Sequence, residues 1–238
     1  MILVKRKLIT MDTVMEVIMD SRFLRNKDLI PQGKLDKIGI VGLGGIGSQL
    51  VPLLSIMGFK NIIGWDYDTL EEHNLSTTLY PQNALGSSKA EIANNVSKMY
   101  THNPSGMKFY NEPYTDDSPT FPKMIVCTDN MESRLAAYNT WLAQPNRKLF
   151  LDLRMGAMAM EIVTATKEND NYLDTWVPTH EVEPEPCTMK HTIFTASIVG
   201  GLGVDQVFNV VANRPYYQYI WVGLMPLQIR TDNLIVKG

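Results

Sequence analysis

The run Gly42-Leu43-Gly44-Gly45-Ile46-Gly47 follows an apolar stretch, Lys37-Ile38-Gly39-Ile40-Val41, and a second apolar stretch, Asn61-Ile62-Ile63-Gly64-Trp65, ends in Asp66-Tyr67-Asp68. That order spells strand, glycine-rich turn, helix, strand, carboxylate, and few folds accommodate it. Glycines permit a tight turn and let backbone N–H groups at a helix N-terminus approach a phosphate or a ribose. Asp66 stands 19 residues after Gly47, where a carboxylate at a strand end accepts from ribose hydroxyls. A glycine turn alone would serve equally to pack a helix on a sheet. With the flanking strands and the spaced aspartate, it predicts a nucleotide site built from Gly42, Gly44, Gly45, Ile46, Gly47 and Asp66.

The rest of the chain keeps alternating between periods. Ser48–Met57, Lys89–Tyr100, Met131–Leu142 and Thr192–Ala212 have helical patterns, the first with Pro52 able to bend it. Met107–Tyr110, Met124–Cys127, Leu149–Asp152 and Ala157–Thr166 read as strands, and Tyr217–Ile229 as one or two strands in a compact cap. The alternation predicts an α/β, Rossmann-like, doubly wound and mostly parallel sheet with a small C-terminal strand cap. All 238 residues fit a single domain. Residues 1–35 are expected as an N-terminal helical arm, with an amphipathic helix over Thr13–Leu29. Lys167–Lys190 is acidic, holds Pro178, Pro184 and Pro186, and lacks apolar periodicity. Residues 167–191 are therefore expected as a mobile crossover loop.

Composition narrows the function classes. A net charge of -3 offers no bulk attraction to nucleic acid or to an anionic membrane. No apolar stretch reaches the ~20 residues of a spanning helix, and no signal peptide opens the chain, so a cytoplasmic protein is expected. Cys127 and Cys187, the two cysteines, make neither a disulfide framework nor a four-sulfur zinc site. Cys127 sits in an apolar strand and is expected in the core.

Three further segments occur in order: Asp66-Tyr67-Asp68-Thr69-Leu70-Glu71-Glu72-His73-Asn74-Leu75, Gly86-Ser87-Ser88-Lys89 and Cys127-Thr128-Asp129-Asn130. A dehydrogenase would not require them. The set resembles the ThiF/MoeB/HesA family, adenylating enzymes related to the activating enzymes of ubiquitin and ubiquitin-like proteins, from about Arg22 to Ala212. The resemblance implies an ATP- and Mg²⁺-dependent adenylyltransferase acting on the C-terminal glycine carboxylate of a small β-grasp protein. Lys89 then contacts phosphates; a surface lysine opening a helix is the plainer role. Asp129 serves Mg²⁺ and adenylation, although it would equally suit the N-cap of the helix at Met131. Asp66 holds the ribose, Asn74 lies near the phosphates, and Asp68 fills the family's second acidic position. Arg22 and Arg25 resemble the family's Arg-x-x-Arg, in which an arginine enters the partner subunit's site; a homodimer follows, with Arg25 catalytic in trans.

One departure stands out. Family members commonly carry Arg and Gln three and four residues after the motif asparagine, where this chain has Thr77 and Thr78. Arg134, Arg154 or a partner residue would have to replace that cation; Arg154 would alternatively hold a substrate carboxylate or pair with Asp152. Cys187 falls about two residues from the usual cysteine of thioester-forming relatives, beside Lys190 and His191, and is a candidate nucleophile or a bland loop thiol. The family's paired CxxC motifs are absent from the sequence, so no zinc is expected. The alternatives are an NAD-dependent oxidoreductase, for which Asp66 and the turn suffice, and a catalytically impaired nucleotide-binding scaffold.

Overall fold

A computed structural model describes residues 21–181 and 191–236. In β1 (Lys37–Val41) Ile38 and Ile40 point to one side, Gly39 and Val41 to the other, and all four are buried. Burial on both faces marks a central strand of a parallel sheet. β2 (Asn61–Trp65), β3 (Met107–Tyr110), β4 (Lys123–Val126) and β5 (Leu149–Met155) join it in parallel. β6 (Ala159–Ala165), β7 (Tyr216–Leu224) and β8 (Leu227–Ile235) continue the sheet antiparallel. The strand order is β3-β2-β1-β4-β5-β6-β7-β8. The C-terminal pair, expected as a cap, is therefore the antiparallel end of the same sheet.

Helices cover both faces. α1 (Gly45–Met57), α2 (Lys89–Tyr100) and α4 (Ile193–Val211) lie on one side, where Leu54, Ala93 and Val207 meet Ile38, Ile62 and Leu151. α3 (Met131–Leu142) lies on the other, where Tyr138 and Trp141 meet Val41, Met124 and Phe150. The sheet is thus doubly wound. Strand order reverses between β1 and β4, and in such sheets the crevice beyond the strands' carboxyl ends at that reversal takes the ligand.

α4 forms over Ile193–Val211, where the pattern predicts a helix over Thr192–Ala212. At 19 residues it has the length and apolar composition of a membrane-spanning helix, but it packs between α1 and β5. A Cβ added at Gly200 would lie 2.9 Å from the Gln49 side chain, and one at Gly203 would lie 2.8 Å from Leu153. It is a core helix whose glycines set its close approach.

Residues 167–181 carry local turns and one buried aromatic ring. The turns are short 3-10 turns at Tyr172–Thr175 and Thr179–Glu181, and Tyr172 is fully buried. Its ring lies 4.4 Å from Tyr138 and 5.1 Å from Phe150, centroid to centroid. The remainder of the crossover from 182 to 190, and the arm's first 20 residues, lie outside the described residues.

Candidate active site

The glycine turn is closed on the protein side and open on the other. Gly42 adopts φ +94°, a region that disfavours side chains, and a Cβ there would lie 2.9 Å from the Cys127 carbonyl oxygen. At Gly47 a Cβ would lie 2.3 Å from the Gly42 carbonyl oxygen. At Gly44 it would meet nothing within 4 Å. α1 starts at Gly45, three residues earlier than its pattern predicts, with Gly44 as N-cap and no side chain capping it. The N–H groups of Gly45, Ile46 and Gly47 have no acceptor within the helix, because the first turn of any α-helix leaves its donors unpaired.

Asp66 braces this turn. Its Oδ2 accepts from Leu43 N–H at 2.7 Å and its Oδ1 from Asp68 N–H at 2.9 Å. Burial pushes the carboxyl above its usual value, opposed by those two N–H groups and by Lys89. A ribose hydroxyl would have to use the remaining lone pairs. Lys89 is buried at the start of α2, its ammonium 2.7 Å from Asp68 and its N–H donating to the Asp68 carbonyl at 2.9 Å. The plainer role, a surface lysine, does not hold.

The polar stretch between β2 and α2 folds over the turn. Tyr80, buried, donates its hydroxyl to the Leu43 carbonyl at 2.7 Å, and Leu79 N–H donates to Ser48 Oγ at 3.1 Å. Sequence reasoning missed Tyr80; a lone aromatic inside a polar run was its only signal. Asn74 closes a 3-10 turn whose capping uses its Oδ1 to accept from Glu71 N–H at 3.1 Å. Thr77 donates to the Asn74 carbonyl at 3.1 Å. Thr78 is buried with an unpartnered hydroxyl.

At the end of β4, Asp129 is exposed, and its carboxylate has no partner among the described residues. The cap of α3 is Asn130, which accepts from Ser133 N–H at 2.7 Å, so Asp129 is not needed for that purpose. Behind it stands a residue considered only as a phosphate cation, Arg134. It is buried, pairs with Asp152, and donates to the carbonyls of Thr128 and of Leu153, the latter at 3.1 Å. Arg154 lies 2.8 Å from the same Asp152, 3.3 Å from Glu161, and donates to the Thr175 carbonyl at 2.9 Å. Both arginines are committed to the fold. Neither stands free to replace the missing phosphate cation, and the Asp152 pairing of Arg154 prevails over substrate contact.

Cys127 behaves as a core thiol. It donates to the Gly42 carbonyl at 3.1 Å, and burial pushes it from its usual 9.0 up to about 12. In a Cys187→Ser background, native Cys127 should be alkylated at pH 8 roughly a thousandfold more slowly than in the denatured chain. A native rate within tenfold of the denatured one would contradict this. The raised pKa also means that the neutral thiol favours the folded state, a contribution fully present below pH 9 and lost as pH rises toward about 12.

The arginines of the arm lie elsewhere in the same protomer. Arg22 donates to the Tyr100 carbonyl at the end of α2, and Phe23 packs on His102 with ring centroids 6.0 Å apart. Lys89 opens that helix, about 17 Å away along its axis. Arg25 is exposed, with no partner among the described residues. Cys187 lies outside the described residues.

The family model described as ThiF matches residues 32–222. The chain belongs to the ThiF family. Within this family, ubiquitin-like modifier-activating enzyme 5 of Culex quinquefasciatus is 31% identical over 115 residues, covering 42% of this chain and 29% of that protein. SUMO-activating enzyme subunit 2 of Dictyostelium discoideum is 47% identical over 58 residues, covering 24% of the chain and 9% of that protein. These matches span less than a third of either relative. Among solved structures, PaaA superimposes with a TM-score of 0.71 at 14% identity, over 99% of this chain and 79% of its own. E. coli MccB crystallised with ATP gives 0.69 at 15%, over 91% and 72%. These likenesses establish the fold.

The residues present in this ThiF-family chain fit a nucleotide. The turn is open at Gly44, the first-turn N–H groups are unpaired, and Asp129 offers a hard oxygen. Among the described residues no three His, Cys, Asp or Glu side chains cluster to hold a metal. A Mg²⁺ ion, which commonly takes one or two carboxylates plus phosphate oxygens, would have to be held by Asp129 in that manner.

Proposed function

We propose that this chain is an adenylyltransferase that uses ATP and Mg²⁺ to activate the C-terminal glycine carboxylate of a small ubiquitin-like protein, working as a homodimer. The observation that carries the proposal is the unpartnered Asp129 carboxylate, two residues beyond the Cys127 backbone that packs on Gly42, in a ThiF-family fold. The names of the curated relatives, activating enzymes of ubiquitin-like modifiers, support the substrate class. The MccB structure with ATP supports the nucleotide.

ATP, when bound, supplies a phosphorus open to attack by a carboxylate and pyrophosphate as the leaving group. The chain's own residues bind and orient. N–H groups of Gly45, Ile46 and Gly47 receive anionic oxygen at the dipole end of α1. Asp66 keeps the turn in shape, Asn74 retains its amide donors, and Lys89 brings a cation to the same edge. Asp129 supplies the metal oxygen. Two anions meet in this reaction, so neutralising charge and holding the reactants in line are the main demands on the site.

Thr77 and Thr78 leave one cation to find. Arg25 of a second protomer supplies it in this proposal. Arg25→Ala and Asp129→Ala proteins should each be inactive, while an equimolar mixture should recover about a quarter of wild-type activity, because half the dimers are hybrids with one intact site of two. No recovery despite demonstrated subunit exchange would exclude action in trans.

Cys187 would accept the activated protein as a thioester. Cys187→Ala should then retain pyrophosphate exchange but form no reducible adduct with the substrate protein; an undiminished adduct would remove the cysteine from the pathway. The overall proposal is tested by ATP–pyrophosphate exchange against a panel of small proteins ending in Gly-Gly, with calorimetry for ATP and NAD. Tight NAD binding without ATP binding would favour the oxidoreductase. ATP binding without exchange would favour the scaffold suggested by Thr77 and Thr78.

A further inference from the structure

β8 ends the strand order, so its outer side carries no strand among the described residues. Every residue from Leu227 to Leu234 is exposed, with Leu227 at 70% and Ile229 at 65%. In register with β7, Ile229 stands opposite Val222 and Thr231 opposite Ile220, and both β7 residues are buried. The apolar side of β8 thus prolongs the core face past the cover of α4, which packs on β5, β6 and β7. Proteins usually blunt such an edge with lysine, proline or a bulge. β8 contains neither lysine nor proline, and its pairing with β7 keeps one constant register. Asn233, at φ +53°, kinks only its far end.

We infer that β8 pairs antiparallel with β8 of a second copy of this chain across a two-fold axis at Thr231. Charge picks both the occupant and the register. Antiparallel self-pairing must centre on a residue, because opposed positions share a face. Centring on Arg230 would oppose two arginines, and centring on Asp232 would oppose two aspartates. Centring on Thr231 opposes Arg230 to Asp232 twice, sets Thr231 against itself, and overlaps all nine positions. Opposite charges and threonine pairs across strands are favourable, and like charges are not. Arg230 is already held 5.1 Å above the Trp221 ring, on the same face as Asp232. The contact is independent of the Arg25 arrangement, since Phe23 and His102 lie by α2 near the β3 end of the sheet and β8 forms the opposite end.

The test is a charge swap read by sedimentation equilibrium between about 1 and 100 μM. Arg230→Asp and Asp232→Arg should each lower the mass reached by the wild-type protein at least twofold. An equimolar mixture of the two should regain it, since each strand then faces its opposite, and so should the double variant. Pyrophosphate exchange, measured on the same samples, should be unchanged in the single variants if the chain is active; its absence from the wild-type protein would count against the proposed function and leave the mass result standing, and its loss in the single variants alone would overturn the independence of the two contacts. A wild-type mass of 26.9 kDa throughout the range, an unaltered mass in Arg230→Asp, or a mixture that fails to recover would each overturn the inference. Amide-exchange protection in a monomeric sample at those β8 amides that point away from β7 would assign the edge to the chain's own segment and likewise overturn it.

Discussion

Asp129→Ala is expected to lower ATP–pyrophosphate exchange by about 10²- to 10³-fold, the cost typical of removing one preorganised electrostatic group from a reacting centre. Stability should change by less than about 0.5 kcal/mol, because an exposed side chain without partners contributes little to folding. Asn130→Ala provides the contrast. It removes the side chain that caps α3, which should cost about 1 kcal/mol of stability. Exchange rates and denaturant melts on both variants separate the two neighbours. Asp129→Ala with unchanged exchange would remove the metal and adenylation role; a large loss of stability would show that the carboxylate has a structural partner.

The largest stability effect should come from Asp152→Ala. Asp152 has no exposed surface; among the described residues it alone pairs with Arg134, and it also receives Arg154 and the Tyr172 hydroxyl at 3.1 Å. Removing it strands the buried Arg134 and leaves Arg154 with Glu161 and the Thr175 carbonyl. Breaking a buried pair from one side costs about 3–5 kcal/mol, even though the intact pair adds little over an apolar substitute. For a chain of this size that is a fall in Tm of roughly 6–20 °C. Asp152→Asn, which keeps hydrogen-bonding capacity, should lose less. Because Arg134 also holds the Thr128 carbonyl, adjacent to Asp129, exchange should fall in Asp152→Ala at temperatures where the variant is still folded. A melt within about 1 kcal/mol of wild type would mean that the arginines find other partners.

Much of the fold is written in local order. The helix predicted over Lys89–Tyr100 and that over Met131–Leu142 occur with those limits, since each has a polar cap, Ser88 or Asn130, ahead of its periodic run. The turn at Gly42–Gly47 was legible for a similar reason. Only glycine tolerates φ +94° at Gly42 and the 2.3 Å approach at Gly47, so composition there records backbone geometry directly. The burial of Tyr172 and the packing partners of α4 were not legible along the chain. A buried aromatic in a polar segment and an apolar helix with glycines take their meaning from what packs on them.

The sequence alone determined the alternation of strands and helices and the position of the turn at the carboxyl end of β1. Those features depend on spacing along the chain, which side-chain period and backbone sterics translate into local structure. Only the tertiary structure decided which charges are spent. Asp66 braces the turn, Lys89 is paired with Asp68, Arg134 and Arg154 share Asp152, and Asp129 is left without a partner among the described residues. Pairing energies depend on distance and burial between residues far apart in sequence, and no motif spacing encodes either.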